Sequence, residues 1–65
     1  MPSVTVIVPV RNEGRSVEGT LRSLLTQEFP GRYEVIVADG GSDDDTVPVV
    51  RRLQGEFPHL KLVYN

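Results

Sequence analysis

The chain alternates between apolar runs typical of buried strands and apolar stripes typical of amphipathic helices. Residues 4–10 read VTVIVPV, a β-branched run without the polar alternation of a half-exposed strand, which predicts a strand covered on both faces. A second run, YEVIVA at 33–38, closes at Asp39, and a third run, LKLVY, spans 60–64. The pattern therefore predicts three strands.

Two helical stripes separate these strands. The first contains Val17, Leu21, Leu24 and Leu25, and Phe29-Pro30-Gly31 predicts its end because proline cannot extend a helix. The second stripe runs through Val49, Val50, Leu53 and Phe57. Because Pro48 fits only the first turn of a helix, we expect this helix to begin near Thr46 and to end around Gly55 and Pro58.

The order β-α-β-α-β predicts an α/β fold, a parallel three-stranded sheet joined by helical crossovers. With the spatial order 3-2-1, both crossovers step the same way and both helices lie on one face of the sheet. The other face is then bare, although the first two strands are apolar on both sides. With only 65 residues, we expect a piece of a larger protein, or a chain that covers this face by self-association.

Two polar clusters follow the first two strands. They are Arg11-Asn12-Glu13 and Asp39-Gly40-Gly41-Ser42. In open parallel sheets, ligands bind outside the carboxyl ends of the strands, so both clusters belong to one candidate rim. The Asp39 carboxylate suits a ribose hydroxyl or a base N–H, and equally the backbone N–H groups of a turn. The pattern leaves both readings open.

Phosphate and metal sites are less well supported. Neither G-x-G-x-x-G nor G-x-x-x-x-G-K-[ST] occurs, and Asp43-Asp44-Asp45 would repel a bare phosphate at the start of the second helix. The three aspartates could hold Mg²⁺ or Mn²⁺, but Ser42 and Asp45 have the spacing of an S-x-x-D capping box, which we favour. Asp44 is the one of the three that we also predict as a secondary ligand-site residue.

Composition narrows the function classes further. The net charge of -2 argues against a nucleic-acid partner, and the absence of cysteine excludes disulfides and thiolate metal sites. The longest apolar run, residues 6–10, is too short for a membrane span, and no export signal is visible. We therefore expect a cytoplasmic chain.

Three segments, in order, resemble the start of family 2 glycosyltransferases. They are VTVIVPVRNE at 4–13, LRSLLTQ at 21–27 and EVIVADGGSDDDT at 34–46. The resemblance covers nearly the whole chain. It implies that residues 1–65 are the N-terminal, nucleotide-binding part of a GT-A fold, a Rossmann-like fragment of a larger catalytic domain.

The resemblance also implies site residues. Pro9, Val10, Arg11, Asn12 and Glu13 match the family loop that lines the base and ribose, and Asp39 matches the acid that contacts the base. The turn-shaping motif matches at Gly41, Ser42, Asp44 and Thr46. The chain departs from the family at Arg11, where an aromatic residue is common, and at Gly40, Asp43 and Asp45.

The family's metal-binding D-x-D motif and catalytic base have no counterpart in residues 1–65, and Asp43-Asp44-Asp45 matches D-x-D only in spelling. The implied parent is a glycosyltransferase that uses a nucleotide-diphosphate sugar, in first place a UDP-sugar, and Mn²⁺ or Mg²⁺. It transfers the sugar to an acceptor hydroxyl, in the cytoplasm or at the cytoplasmic face of a membrane with which it associates. The chain alone is expected to be inactive.

Two alternatives remain from the residues themselves. One is a stand-alone nucleotide-binding or phospho-acceptor module, and the other is a self-associating fragment without a ligand.

Overall fold

A computed structural model describes residues 3–27 and 31–64 of the chain. The elements are β1 (Ser3–Val10), α1 (Val17–Leu25), β2 (Arg32–Asp39), α2 (Thr46–Gln54) and β3 (Leu60–Tyr64). The predicted order of strands and helices is confirmed, and α2 begins at Thr46 as the position of Pro48 requires. The helix α1 ends at Leu25, with Thr26 as its C-cap, earlier than the stop predicted at Phe29-Pro30-Gly31; Phe29 and Pro30 themselves lie outside the described residues. Within them, no helix is long and apolar enough to cross a membrane.

The three strands form one parallel sheet in the order β1-β2-β3. This is the predicted order, with β2 in the centre. The register pairs Val10 with Asp39 and Asp39 with Tyr64, so all three strands end at the same edge of the sheet. That common edge places the chain segments after β1 and β2 side by side.

The hydrophobic core lies between the sheet and the two helices. Its fully or nearly fully buried members come from every element: Val10, Val17, Leu21, Leu25, Val35, Val37, Val50, Leu53 and Leu60. Helical spacing collects the α1 and α2 members on the sides that face the sheet, and strand alternation collects the others on one sheet face. Both helices therefore pack on the same face, as predicted.

Ion pairs join the outer surfaces of the two helices. Glu18 accepts hydrogen bonds from Arg22 on its own helix and from Arg52 on α2, and Arg22 also donates to Glu56 just beyond α2. The Arg22 guanidinium lies over the ring of Phe57, 5.7 Å from its centroid. These contacts fix α1 beside α2 above the shared core.

The opposite face of the sheet is uncovered by the described residues. The β1 residues that point away from the helices are all exposed, and Ile7 is 65% exposed. Its register partner Ile36 is half-buried, and Val63 on β3 is 47% exposed. Together with Pro9 and Ala38 they form an apolar patch, defined here as the open face, in agreement with the sequence-based expectation of a bare face.

Truncating Leu21, which is fully buried at the centre of the core, should destabilise the chain strongly. We expect Leu21→Ala to lower the free energy of unfolding by about 2–5 kcal/mol, since it removes apolar contacts and leaves a cavity. The matched control Leu24→Ala lies on the same helix but is only half-buried, so its loss should be clearly smaller. Urea unfolding followed by circular dichroism measures both, and equal losses would contradict the assigned core.

The open face should drive self-association when the chain is isolated, because a second copy is then the only available cover. Sedimentation equilibrium should show an average mass that rises with concentration. Ile7→Glu should suppress the rise by placing a charge in the apolar patch. Thr5→Glu adds the same charge to the same face outside the patch and should leave the rise intact. A wild-type chain that stays monomeric throughout would refute this prediction.

Candidate functional site

The candidate site lies at the carboxyl edge of the sheet, where β1 and β2 end together. Val10 and Asp39 are register partners there, and the Gly40 N–H donates to the Val10 carbonyl at 2.9 Å. Loop 1 (residues 11–16) continues β1 and loop 2 (residues 40–45) continues β2. Because parallel neighbouring strands end side by side, the two loops form one rim, as the sequence predicts.

Asp39 is buried, with 3% of its surface exposed. Its Oδ1 accepts a hydrogen bond from the Ser42 hydroxyl at 2.6 Å, and its Oδ2 accepts the N–H groups of Gly41 and Ser42, both at 3.1 Å. These donors favour the charged carboxylate, so the Ser42 hydroxyl above all, then the two N–H groups, lower the pKa of Asp39. Asp39 therefore holds loop 2 in a tight turn.

Gly41 makes that turn possible. Its φ is +89°, in the region that residues with a side chain rarely adopt, and nothing lies within 4 Å of the position where a Cβ would stand. The glycine is needed here for its backbone conformation, and the space beside it is open to a ligand.

Asn12 connects loop 1 to loop 2. Its φ is +51°, a left-handed conformation that asparagine tolerates better than most residues. Its side-chain Oδ1 accepts the N–H groups of Asp43 at 2.7 Å and Asp44 at 3.3 Å, while its own N–H donates to the Ser42 hydroxyl oxygen at 2.9 Å. One residue thus contacts three consecutive residues of the other loop.

Asp44 and Thr46 connect the loops from the other side. The Glu13 N–H donates to Thr46 Oγ1 at 2.9 Å, and the Gly14 N–H donates to Asp44 Oδ2 at 3.0 Å. Asp44 Oδ1 accepts both the hydroxyl and the N–H of Thr46. The Thr46 hydroxyl above all, then the Gly14 N–H, lower the pKa of Asp44 because they favour its charged form.

The predicted capping box at Ser42 and Asp45 is wrong. The N-cap residue of α2 is Asp45, and its side chain makes no capping hydrogen bond. The Ser42 hydroxyl is instead bonded to Asp39 and to the Asn12 N–H, while Asp44 accepts the Thr46 N–H. One contact from loop 1, thirty residues away in sequence, and two short-range contacts thus replace the predicted capping box.

The rim offers little to a bare phosphate. Most of the loop N–H groups at this edge are already bonded to side-chain oxygens or carbonyls: those of residues 12–14, 40–44 and 46. Five carboxylates also surround this edge, against two guanidinium groups: Glu13, Asp39, Asp43, Asp44 and Asp45 against Arg11 and Arg15. The edge therefore suits a neutral polar group such as a nucleoside better than an anion.

The structure brings the nine predicted site residues to this one edge. Val10 and Asp39 are buried at the strand ends, Ser42 is half-buried, and the others are exposed: Pro9, Arg11, Asn12, Glu13, Gly41 and Asp44. Pro9 belongs to the open face of the sheet rather than to the core side. The exposed members are the ones that a ligand can reach directly.

Gly14 was not among the predicted site residues. A Cβ at this position would lie 1.8 Å from Asp45 Oδ1, so any other residue would require the Asp45 side chain to move. No local pattern marks Gly14, because its N–H acts through the opposite loop. Thr46, buried completely, was expected only as part of the turn-shaping motif, and its bond to loop 1 was not predicted.

The described residues do not form a metal centre at this edge. No group of three or more His, Asp or Glu side chains within residues 3–27 and 31–64 could hold an ion. The Asp39 and Asp44 carboxylates each accept three internal hydrogen bonds. These residues therefore do not fit the Mn²⁺ or Mg²⁺ that the family resemblance implies.

A separate cavity of about 320 Å³ lies at the opposite end of the sheet, where β1 and β2 begin. Its lining includes Arg32, Tyr33, Glu34 and His59. It is the natural rival to the rim as a ligand site, because it combines concave shape with polar side chains.

Comparison with known proteins gives a consistent family. The family described as glycosyl transferase family 2 matches residues 5–65. The glycosyltransferase AglE of Haloferax volcanii is 34% identical over 97% of this chain, and the GalNAc(5)-diNAcBac-PP-undecaprenol beta-1,3-glucosyltransferase of Campylobacter jejuni is 38% identical over all of it. The uncharacterized glycosyltransferase YfnE of Bacillus subtilis is 41% identical over 83%.

The chain spans only part of these relatives: 21% of the first two and 14% of the third. No solved structure matches the chain significantly. The comparisons therefore concern a segment about a fifth as long as the relatives or shorter.

Acid should destabilise the rim through Asp39 and Asp44. Their pKa values in the folded chain lie below the ordinary 3.8, so their stabilising effect is complete above that value and is lost as pH falls through the folded values. We expect the urea midpoint to fall from about pH 5 downward. Glu18 and Glu56, whose pKa values are also lowered by arginine partners, contribute to the same slope.

Asp44→Asn should show how much of this pH dependence of stability comes from Asp44 in the rim. The substitution should make the midpoint less sensitive to pH, because the amide cannot titrate. Asp43→Asn is the matched control, since it removes the same charge from a neighbour whose side chain accepts no hydrogen bond from the described residues. If both variants flatten the pH profile equally, the Asp44 hydrogen bonds are not its cause.

Proposed function

This chain belongs to glycosyl transferase family 2, and from that membership and the rim geometry we propose that it forms the nucleoside-binding part of a donor site. The whole protein would transfer a sugar from a nucleotide-diphosphate sugar, in first place a UDP-sugar, to an acceptor hydroxyl. The observation that carries this proposal is the pairing of Val10 with Asp39, which brings loops 1 and 2 together at the carboxyl edge of a parallel sheet.

The rim supports recognition of the nucleoside rather than of the diphosphate. The exposed side chains of Arg11 and Glu13 would supply hydrogen-bond donors and acceptors for ribose and base, while Asn12 holds loop 2 beside them. The open space beside Gly41 gives room for a planar ring. The diphosphate, which this acidic edge would repel, would lie away from loop 2.

Asp39 would contact the base, although most of the acceptor positions of its carboxylate are used within the chain. A carboxylate has about four acceptor positions, and internal donors take three of them. One position remains for a base N–H. The phospho-acceptor alternative fits less well, because phosphorylation would make an Asp39 oxygen give up its internal hydrogen bonds, whereas a base contact would leave them in place.

In the proposed reaction, the acceptor oxygen forms a bond to the anomeric carbon while the bond from that carbon to the diphosphate breaks. The acceptor's proton would go to a base outside these 65 residues. Mn²⁺ or Mg²⁺ would neutralise the leaving diphosphate, with ligands also outside them, since the described residues do not fit the ion. The chain alone should therefore bind without transferring sugar. Its cytoplasmic location and any membrane association of the whole protein stay predictions.

The proposal is tested by locating where UDP binds. Titration of the ¹⁵N-labelled chain with UDP and Mg²⁺ should move the amide signals of residues 9–13 and 39–44, and calorimetry with UDP and Mn²⁺ should show weak heat. We expect weak binding because the rim contacts only the nucleoside. Shifts confined to Tyr33, Glu34 and His59 would place the nucleotide in the rival cavity, and absence of any shift would favour the ligand-free alternative.

The Asp39 contact is tested by comparing two changes in the same turn. Asp39→Asn and Ser42→Ala each disturb the hydrogen bonds of loop 2, but only the first removes the carboxylate. We expect Asp39→Asn to weaken UDP binding at least about tenfold, the effect of losing a hydrogen bond to a charged group, and Ser42→Ala to weaken it less. Equal losses would mean that Asp39 acts only by shaping the turn.

A further inference from the structure

The rim is built as an interlock of two loops that are distant in sequence. Five hydrogen bonds between loop 1 and the segment 42–46 link residues separated by 30 to 33 positions. The bonds run in both directions. Three N–H groups of loop 1 donate to side chains of segment 42–46, and two N–H groups of loop 2 donate to the Asn12 side chain. The donors and acceptors of these five hydrogen bonds meet only when both loops are in place.

Asn12 is the residue on which this interlock depends most. Its side chain takes the N–H groups of Asp43 and Asp44, which the helix cannot bond because they precede its first turn. Its main chain can present the side chain and the N–H to loop 2 together because its φ is +51°. No other loop 1 residue among those described holds loop 2 through its side chain.

We infer that Asn12 is a positioning residue, which couples loop 2 to loop 1 and thereby fixes the ligand-facing side chains of both loops in one arrangement. This inference rests on the proposed function for its ligand, but the coupling itself is a property of the free chain. Loop 1 and loop 2 should consequently order together, and a ligand that contacts one loop should also fix the other.

Two substitutions distinguish the effect of the Asn12 side chain from the effect of its backbone conformation. Asn12→Gly keeps access to the left-handed conformation but removes the acceptor, whereas Asn12→Asp keeps an acceptor oxygen of the same reach. Ser16→Gly is the matched control for a new glycine in loop 1, since the Ser16 side chain makes no capping hydrogen bond.

The first measurement is made without ligand, by ¹⁵N relaxation and amide–water exchange. In Asn12→Gly, the order parameters of residues 41–44 should fall from about 0.85 toward 0.6, and the Asp43 and Asp44 amides should exchange faster. Asn12→Asp and Ser16→Gly should keep the wild-type values. Wild-type order in loop 2 of Asn12→Gly would overturn the inference.

The second measurement is the affinity for UDP with Mn²⁺, at a temperature where far-ultraviolet circular dichroism shows every variant folded. Asn12→Gly should bind at least about fivefold more weakly, within the range typical of coupling between sites, and Ser16→Gly should bind as the wild type does. Disordered loop 2 with unchanged affinity would also overturn the inference. Failure of the wild-type chain to bind UDP refutes the proposed function instead, and the relaxation measurement still decides the coupling.

Discussion

The buried carboxylate of Asp39 is the constraint around which the rim is built. It ends the central strand on the core side, where a charge is stable only if donors surround it, and the turn through Gly41 and Ser42 supplies those donors. Because the Ser42 hydroxyl donates to Asp39, its oxygen remains an acceptor, and it accepts the Asn12 N–H. The burial of one acid on β2 is thus linked to the position of loop 1.

The backbone N–H groups and the exposed side chains at this edge of the sheet have different roles. Buried or bonded oxygens satisfy the loop N–H groups, so those groups hold the rim together and are not offered to a ligand. The exposed side chains of Arg11 and Glu13 take no part in the interlock and are accessible to solvent. Such a rim is acidic, and an acidic edge favours a neutral group over a diphosphate.

The two faces of the sheet are covered unequally. Val35 and Val37 are buried because two helices cover their face, while Ile7, an equally apolar residue one strand away, is mostly exposed. The chain is a segment of family 2 glycosyltransferase sequence about a fifth of its relatives' length, or shorter. Its strands carry apolar residues for two covered faces, and the described residues cover one.

The amino-acid sequence by itself determined the elements, the parallel order and the edge where the proposed site lies. These follow from local periodicity, from prolines such as Pro48 and from the rule that strands joined by helices run parallel. Only the tertiary structure decided which partner each rim residue has. Ser42 and Asp45 have the spacing of a local cap, yet the Ser42 hydroxyl accepts the N–H of Asn12, and Gly14 lies against the Asp45 side chain. Spacing along the chain cannot reveal such contacts, because a polar group bonds to the partner that is nearest in space, and the register of β1 against β2 brings that partner from thirty residues away.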